Sequence, residues 1–155
     1  MNQFTFILAL SLAAGSASGA DSGPAASQAP KDPSLERYSA ASTRQDWPAA
    51  AAAMKDGLSR DPQNADLHNL YAYSLRKGAK PEMDLVFKHY NEALRIDSKH
   101  RGAHEYIGEA YLMVGNAAKA KEHLAQLDKL CFFSCSEFAD LKKAIAEFES
   151  KTAKR

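Results

Sequence analysis

Apolar residues recur along most of this 155-residue chain at the spacings of amphipathic helices, and strand-like alternation is scarce. Near the carboxyl end they are separated by three, four and three residues, at Phe138, Leu141, Ile145 and Phe148. This spacing draws one apolar stripe along a helix, with charged residues on its other sides. Ser134 and Glu137 have the spacing of a capping box for its start. The pattern predicts an all-α protein whose last helix covers residues 136–150.

The stretch from Arg101 to Cys131 carries the sharpest pattern, because small and large residues recur there at fixed offsets. With Arg101 as the first position, offsets seven, eight and eleven hold Ile107, Gly108 and Tyr111, and offsets 20, 24 and 27 hold Ala120, Leu124 and Leu127. Gly115 and Asn116 form the turn between two predicted helices. A glycine within a helix costs about 1 kcal/mol relative to alanine. We therefore expect Gly108 to allow close approach of the hairpin's second helix.

These offsets resemble the tetratricopeptide repeat (TPR), a helical hairpin of 34 residues. A second copy covers residues 65–100 and matches the motif at Tyr71, Ala72, Leu75, Tyr90 and Ala93. It is 36 residues long, and the excess fits the turn from Gly78 to Pro81. An earlier, partial copy matches at Trp47, Ala50 and Met54, but its first helix, around residues 35–42, is poorly defined.

The resemblance implies a short solenoid of about two and a half to three hairpins, with repeats at about 34–64, 65–100 and 101–131. A solenoid needs a terminal helix to cover its last apolar face, which is the role we expect for residues 136–150. The segments HEYIGEAYL and LDKLCFFSC are also similar to a group of small exported bacterial TPR proteins that end in this cysteine pair.

Proteins with this repeat bind a peptide or partner helix in a groove lined by the first helix of each hairpin. Carried over position by position, the groove residues are Asp66, Asn69, Tyr73, Arg76, Lys77, Gly102, Glu105, Glu109, Leu112 and Met113. Glutamates stand where a carboxylate clamp would need Lys or Asn, so no such clamp is expected. A mixed-charge protein segment with a hydrophobic anchor fits better, although these charges could also merely keep the groove soluble.

The amino terminus has the pattern of a signal peptide over residues 1–20. An apolar run from Phe4 to Ala14 is too short to span a bilayer, and small residues precede a predicted cut after Ala20. No Lys or Arg precedes the run, so a retained anchor is the alternative. Residues 21–33, rich in Ala, Ser and Pro, predict a flexible linker. We expect a periplasmic or secreted protein with no stable membrane anchor after cleavage.

Export changes the expectation for Cys131 and Cys135, the only cysteines, because an oxidising compartment favours a disulfide. The alternative is a thiol-based protein that handles copper or zinc. Histidines occupy equivalent places in two copies. We expect His104 and His68 to be partly buried and hydrogen bonded, and His89 and His123 to lie at a solvated rim.

Charge and motifs exclude several other functions. With 20 basic and 19 acidic residues, no strong field favours nucleic acid, and the basic tail 151–155 is expected to be a solvated helix end. Glu105 and Glu109 lie one turn apart, a spacing usual for solvated charges, and no nucleophile elbow or phosphate-binding loop is present. We expect no enzyme and no cofactor. The sequence favours a scaffold or adaptor of the bacterial cell envelope, with metal handling and a stacked oligomer as alternatives.

Overall fold

The computed structural model describes residues 32–133 and 135–154. Within these ranges the chain forms seven helices and no strand: α1 (Pro33–Thr43), α2 (Trp47–Arg60), α3 (Ala65–Lys77), α4 (Met83–Ile96), α5 (Arg101–Met113), α6 (Ala117–Leu130) and α7 (Ser136–Thr152). The predicted signal peptide, most of the predicted linker and Ser134 of the predicted capping box lie outside the described residues.

The helices form three stacked hairpins followed by a single helix. α1 packs on α2, α3 on α4 and α5 on α6, while α7 contacts both α5 and α6. The first hairpin is complete, although its first helix was poorly defined in the sequence. The turn between α3 and α4 covers residues 78–82 and is two residues longer than the corresponding turns 44–46 and 114–116, which accounts for the 36-residue copy. The terminal helix extends to Thr152, so the predicted basic tail begins inside α7.

Short polar residues set the starts of the helices. The side chains of Asp46, Asn64 and Asn116 each accept a hydrogen bond from a backbone N–H three residues ahead, at 3.1 Å. Such caps satisfy amides that have no partner within the helix. Before Asn116, Gly115 adopts a φ of 79°, in the left-handed region that glycine enters without steric cost. These local signals fix where each hairpin turns.

The core consists of three apolar clusters. Two of them join neighbouring hairpins, and the third joins the last hairpin to α7. The first holds Ala53, Met54 and Leu67, the second Ala72, Val86, Tyr90, Ile107 and Ala110, and the third Ala120, Leu127, Leu141 and Ile145. Of the motif positions predicted from the repeat register, the small residues and Met54, Tyr90, Ile107 and Leu127 are buried, while Trp47, Tyr71, Leu75, Tyr111 and Leu124 are partly buried. The apolar stripe of α7 covers the last hairpin, as a terminal helix of a solenoid does.

The close approach at Gly108 involves a different helix from the one predicted. A Cβ placed on Gly108 would lie 2.6 Å from Cδ2 of Leu141, so the nearest side chain belongs to α7 and not to α6. The prediction that Gly108 makes room for the second helix of its own hairpin is corrected. At Gly108 the close approach is made by the helix that follows the hairpin.

Candidate functional site

The first helices of two hairpins and the terminal helix together line an open cavity of about 380 Å³, which we call the groove. Its lining comes from α3, α5 and α7: Tyr73, Arg76, Lys77, Glu105, Tyr106, Glu109, Asp140, Lys143, Ala144 and Glu147. Most of these side chains are charged. The volume is within the range of ligand-binding clefts, but the lining is far more polar than that of a typical small-molecule site.

Three aromatic rings form a row beside the groove. The ring centroids of Trp47 and Tyr73 are 5.7 Å apart, and those of Tyr73 and Tyr106 are 4.7 Å apart. The Nζ of Lys77 lies 5.7 Å from the Trp47 ring centre and 6.0 Å from that of Tyr73. Rings at these distances attract cations through their electron-rich faces. The row therefore provides an apolar surface next to the positive charge of Lys77.

Arg76 is a buried cation that connects α3 to α5. Its Nη2 donates a hydrogen bond of 2.6 Å to Oε2 of Glu109, and its Nε donates to the Tyr90 hydroxyl at 3.3 Å. Its guanidinium carbon also lies 5.3 Å from the ring centre of Tyr73. A buried cation must be paired to be tolerated. Glu109 therefore already has Arg76 as its ion-pair partner.

Glu105 is buried with less compensation, because Arg76 acts on it through its charge and forms no hydrogen bond with it. Its residue is 8% exposed, and no hydrogen bond from a described residue reaches its carboxylate. The pKa of Glu105 is raised to about 7, mainly by burial and also by the nearby carboxylates of Glu109, Asp140 and Glu137, against the opposing charge of Arg76. The expectation that Glu105 and Glu109 are merely solvated charges is therefore corrected, because one is buried and the other is paired.

The structure brings together five of the predicted groove residues, Tyr73, Arg76, Lys77, Glu105 and Glu109, around one cavity. The others do not line it. The Asp66 carboxylate is exposed, with Oδ1 3.0 Å from Nε2 of His100, while the Asn69 side chain is buried against Gly102.

The two predicted apolar anchors on α5 also lie outside the lining of the groove. Leu112 packs against the third core cluster, so it is part of the core. Met113, at the end of α5, is 52% exposed. Of the three proposed anchors, Tyr73 is therefore the one that lines the cavity.

Sequence reasoning missed half of the groove lining. Asp140, Lys143, Ala144 and Glu147 lie on α7, which carries no repeat motif and so gave no register for assigning an inner face. Tyr106 follows Glu105 directly and precedes Glu109 by three residues. The helical period alone would have placed Tyr106 and Glu109 on one face.

On another side of the hairpins, two histidine pairs repeat the same bonding pattern, and we call them the histidine clasps. Nδ1 of His68 lies 2.8 Å from Nδ1 of His89, and Nδ1 of His104 lies 2.9 Å from Nδ1 of His123. Nε2 of the first histidine in each pair lies 3.1 Å from a backbone carbonyl oxygen, of Pro62 or Ser98. A carbonyl only accepts, so this Nε2 carries the proton and the facing Nδ1 accepts from the second histidine.

The clasps settle two predictions about the histidines. His104 and His68 are buried and hydrogen bonded, which confirms the first. The prediction of a solvated rim for His89 and His123 is wrong, since both are half-buried and paired. Burial lowers the pKa of each of these two to about 4.

Cys131 and Cys135 form a disulfide with a Cα–Cα distance of 5.8 Å, at the junction of α6 and α7. Sulfurs bonded to each other offer no thiolate ligand to a metal. Phe132 and Phe133 are 95% and 90% exposed in the loop that the disulfide closes. In the described part of the chain, no group of three or more His, Cys, Asp or Glu side chains is arranged to hold a metal ion.

Three hairpins in a solenoid closed by a terminal helix define the class: the fold is that of a TPR domain. A similar solved structure is the complex of the TPR2B domain of yeast Sti1 with pHsp70. It matches with a TM-score of 0.68 and 19% sequence identity, over 76% of this chain and 94% of that chain. No protein-family model matches the sequence, and no curated protein gives a significant sequence match. Across residues 32–133 and 135–154, no helix has the length and apolar character needed to span a membrane.

Proposed function

We propose that this protein is a non-enzymatic adaptor that binds an extended segment of a partner protein in the groove. The observation that carries the proposal is the convergence of three helices on one open cavity bordered by aromatic rings and charges of both signs. Aromatic side chains next to desolvated charges are the usual anchors of protein interfaces. The solved TPR2B complex with pHsp70 shows that a domain of this fold binds a partner.

The groove assignment is tested by two matched variants of α3. Tyr73→Ala removes a half-buried ring from the groove, and Tyr71→Ala removes a half-buried ring that packs on His89, away from the groove. We expect Tyr73→Ala to weaken binding of the natural partner by at least about tenfold, because truncating an aromatic anchor costs more than 1 kcal/mol. Tyr71→Ala should leave the affinity unchanged.

The measurement is a titration of the purified partner, first captured from the envelope fraction by a photo-crosslinker at residue 106. Thermal unfolding of both variants shows whether each is folded at the temperature used. If Tyr71→Ala weakens binding and Tyr73→Ala does not, the partner binds elsewhere and the groove assignment fails.

We further propose that the adaptor acts in the bacterial cell envelope as a periplasmic or secreted protein. The apolar run Phe4–Ala14, the small residues before the expected cut after Ala20 and the disulfide support this location. The mass of the protein isolated from its native host tests it. We expect a chain that begins at Asp21 and lacks two hydrogens because its cysteines are bonded. A full-length chain with two free thiols would contradict the proposal.

A further inference from the structure

Glu105 has an arrangement that the folded chain alone does not explain. It lines the groove, is 8% exposed and receives no hydrogen bond from the described residues. Buried carboxylates in proteins are nearly always paired, because desolvation of the charge is costly. Arg76, whose charge acts on Glu105, forms its ion pair with Glu109 at 2.6 Å. The Glu105 carboxylate therefore has no hydrogen-bond partner among the described residues and lines an open cavity.

The surroundings of Glu105 add further acceptors. Asp140 and Glu147 of α7 are exposed and line the same cavity, and Glu137 lies close enough to interact with Glu105 through its charge. Of the cations in the lining, Lys77 lies over the Trp47 and Tyr73 rings. Lys143 is exposed on α7. The α5–α7 side of the groove is thus acidic, while the α3 side is basic.

The wall of this acidic side is aromatic. Tyr106 lines the cavity next to Glu105 in sequence, and its ring is 4.7 Å from that of Tyr73. The guanidinium of Arg76 already lies 5.8 Å from the Tyr106 ring centre, which shows that this ring accepts a cation within cation–π distance. A long basic side chain combines a charged head for carboxylates with an apolar stem for a ring.

We infer that the α5–α7 side of the groove is a subsite for one lysine or arginine side chain of the bound partner segment. Its head pairs with Glu105 and Asp140, and its stem lies against Tyr106. This inference rests on the proposed function, and it specifies the chemistry of the partner at one position. The unpaired Glu105 is then a cost in the free protein that binding removes, as functional sites often show.

Capped pentapeptides of alanine with a central arginine or lysine are the probes. Citrulline and norleucine peptides are their neutral matches. We expect the cationic peptides, at millimolar concentration in an NMR titration, to shift the amide signals of α5 and α7. The neutral peptides should bind at least about tenfold more weakly, since a charge-assisted pair contributes more than 1.4 kcal/mol. Equal binding of charged and neutral peptides, or no shift with either cationic peptide, overturns the inference.

Glu105→Gln keeps the shape of the side chain and removes its charge, so it should abolish the preference for the cationic peptides. Glu122→Gln is the matched control on α6, where the carboxylate is 61% exposed and paired with Lys119. It should leave the preference intact. Preference retained in a folded Glu105→Gln variant contradicts the inference, as does preference lost in both variants.

Binding should also strengthen as pH rises through about 7, because a bound cation favours the ionised form of Glu105. The other titratable or charged groups that face the site are Tyr73, Arg76, Lys77, Tyr106, Glu109, Glu137, Asp140, Lys143 and Glu147. The Glu105→Gln variant identifies the contribution of Glu105, because it should lose this increase. If the unsubstituted protein binds the cationic peptides with the same affinity at every pH, Glu105 is not the group that pairs with the cation.

The natural partner separates this inference from the proposed function. If Tyr73→Ala weakens the partner and Glu105→Gln does not, the partner occupies the groove without a cation at Glu105, and the inference alone fails. If neither substitution has an effect, both fail.

Discussion

The groove and the histidine clasps both bury ionisable side chains, but they treat them in opposite ways. In the clasps, each ring nitrogen of His68 and His104 has a partner, and the same bonding occurs in two successive hairpins. In the groove, Arg76 and Glu109 pair once, and Glu105 has no hydrogen-bond partner among the described residues.

This difference distinguishes buried polar groups that stabilise the fold from buried polar groups that serve a function. A polar arrangement that recurs in successive hairpins and gives its groups hydrogen-bond partners stabilises the repeat itself. One that occurs once and leaves a buried charge unpaired is a net cost to folding. Since natural proteins retain such costs mainly at functional sites, the comparison favours the groove as the site of binding.

Removing the clasps should give the largest loss of stability. His68→Ala leaves Nδ1 of His89 and the Pro62 carbonyl without their partner, and His104→Ala does the same in the next hairpin. We expect each to lower the free energy of unfolding by about 2 kcal/mol, and the double variant by about 4 kcal/mol, because the two clasps share no residue. Urea unfolding measures both. A loss below 0.5 kcal/mol, the range of surface substitutions, would show that the clasps are not structural.

Stability should change with pH in opposite directions because of the clasps and because of the groove. For His89 and His123 the folded pKa is about 4 against an ordinary 6.5, so unfolded chains bind more protons between these values and stability falls as pH drops through them. We expect a loss of about 3 kcal/mol from the two together, after allowance for solvent screening.

The titration of Glu105 should change stability with pH in the opposite direction. Its folded pKa is about 7 against an ordinary 4.5, so the folded protein binds more protons and stability falls as pH rises through this interval. Urea midpoints at several pH values test both contributions. The variant His89→Gln/His123→Gln should lose the acid-side decline, and Glu105→Gln the decline toward neutral pH. If the urea midpoints of the unsubstituted protein and both variants change with pH in the same way, these two histidines and Glu105 are not the groups responsible.

Neutralising Glu105 should stabilise the protein, whereas a typical substitution of a buried residue destabilises it. Glu105→Gln removes the desolvated charge and keeps the side-chain volume, so we expect an increase of about 1 kcal/mol above pH 7 and none well below it. Calorimetric melting at both pH values measures the change. A decrease at high pH would mean that the ionised carboxylate has a partner in the folded chain.

An exposed ion pair should give the smallest effect and sets the baseline for the comparison. Nζ of Lys121 lies 2.5 Å from Oε1 of Glu149, and the two side chains are 56% and 49% exposed. We expect Lys121→Ala to change stability by less than about 0.5 kcal/mol, because solvent screens the pair. A larger loss in urea unfolding would indicate that this pair helps hold α7 on α6.

The repeat register predicted much of the core but less of the site. The offsets in the sequence placed Met54, Tyr90 and Leu127 in the core, and all three are fully buried. They placed Leu112 in the groove, where the structure has it packed against the core, because α7 covers that side of α5. The register also gave no position to any residue of α7, which supplies part of the groove lining.

The sequence by itself determined two hairpins, the second helix of the first one and the terminal helix, since these depend on the 3.6-residue period and on capping residues a few positions away. Only the tertiary structure decided which polar groups lose water and which find partners. The clasps join residues 19 and 21 positions apart, and Arg76 and Glu109 are 33 apart. Glu105 has no hydrogen-bond partner among the described residues for the same reason, because burial and pairing depend on neighbours from other helices that no local pattern specifies.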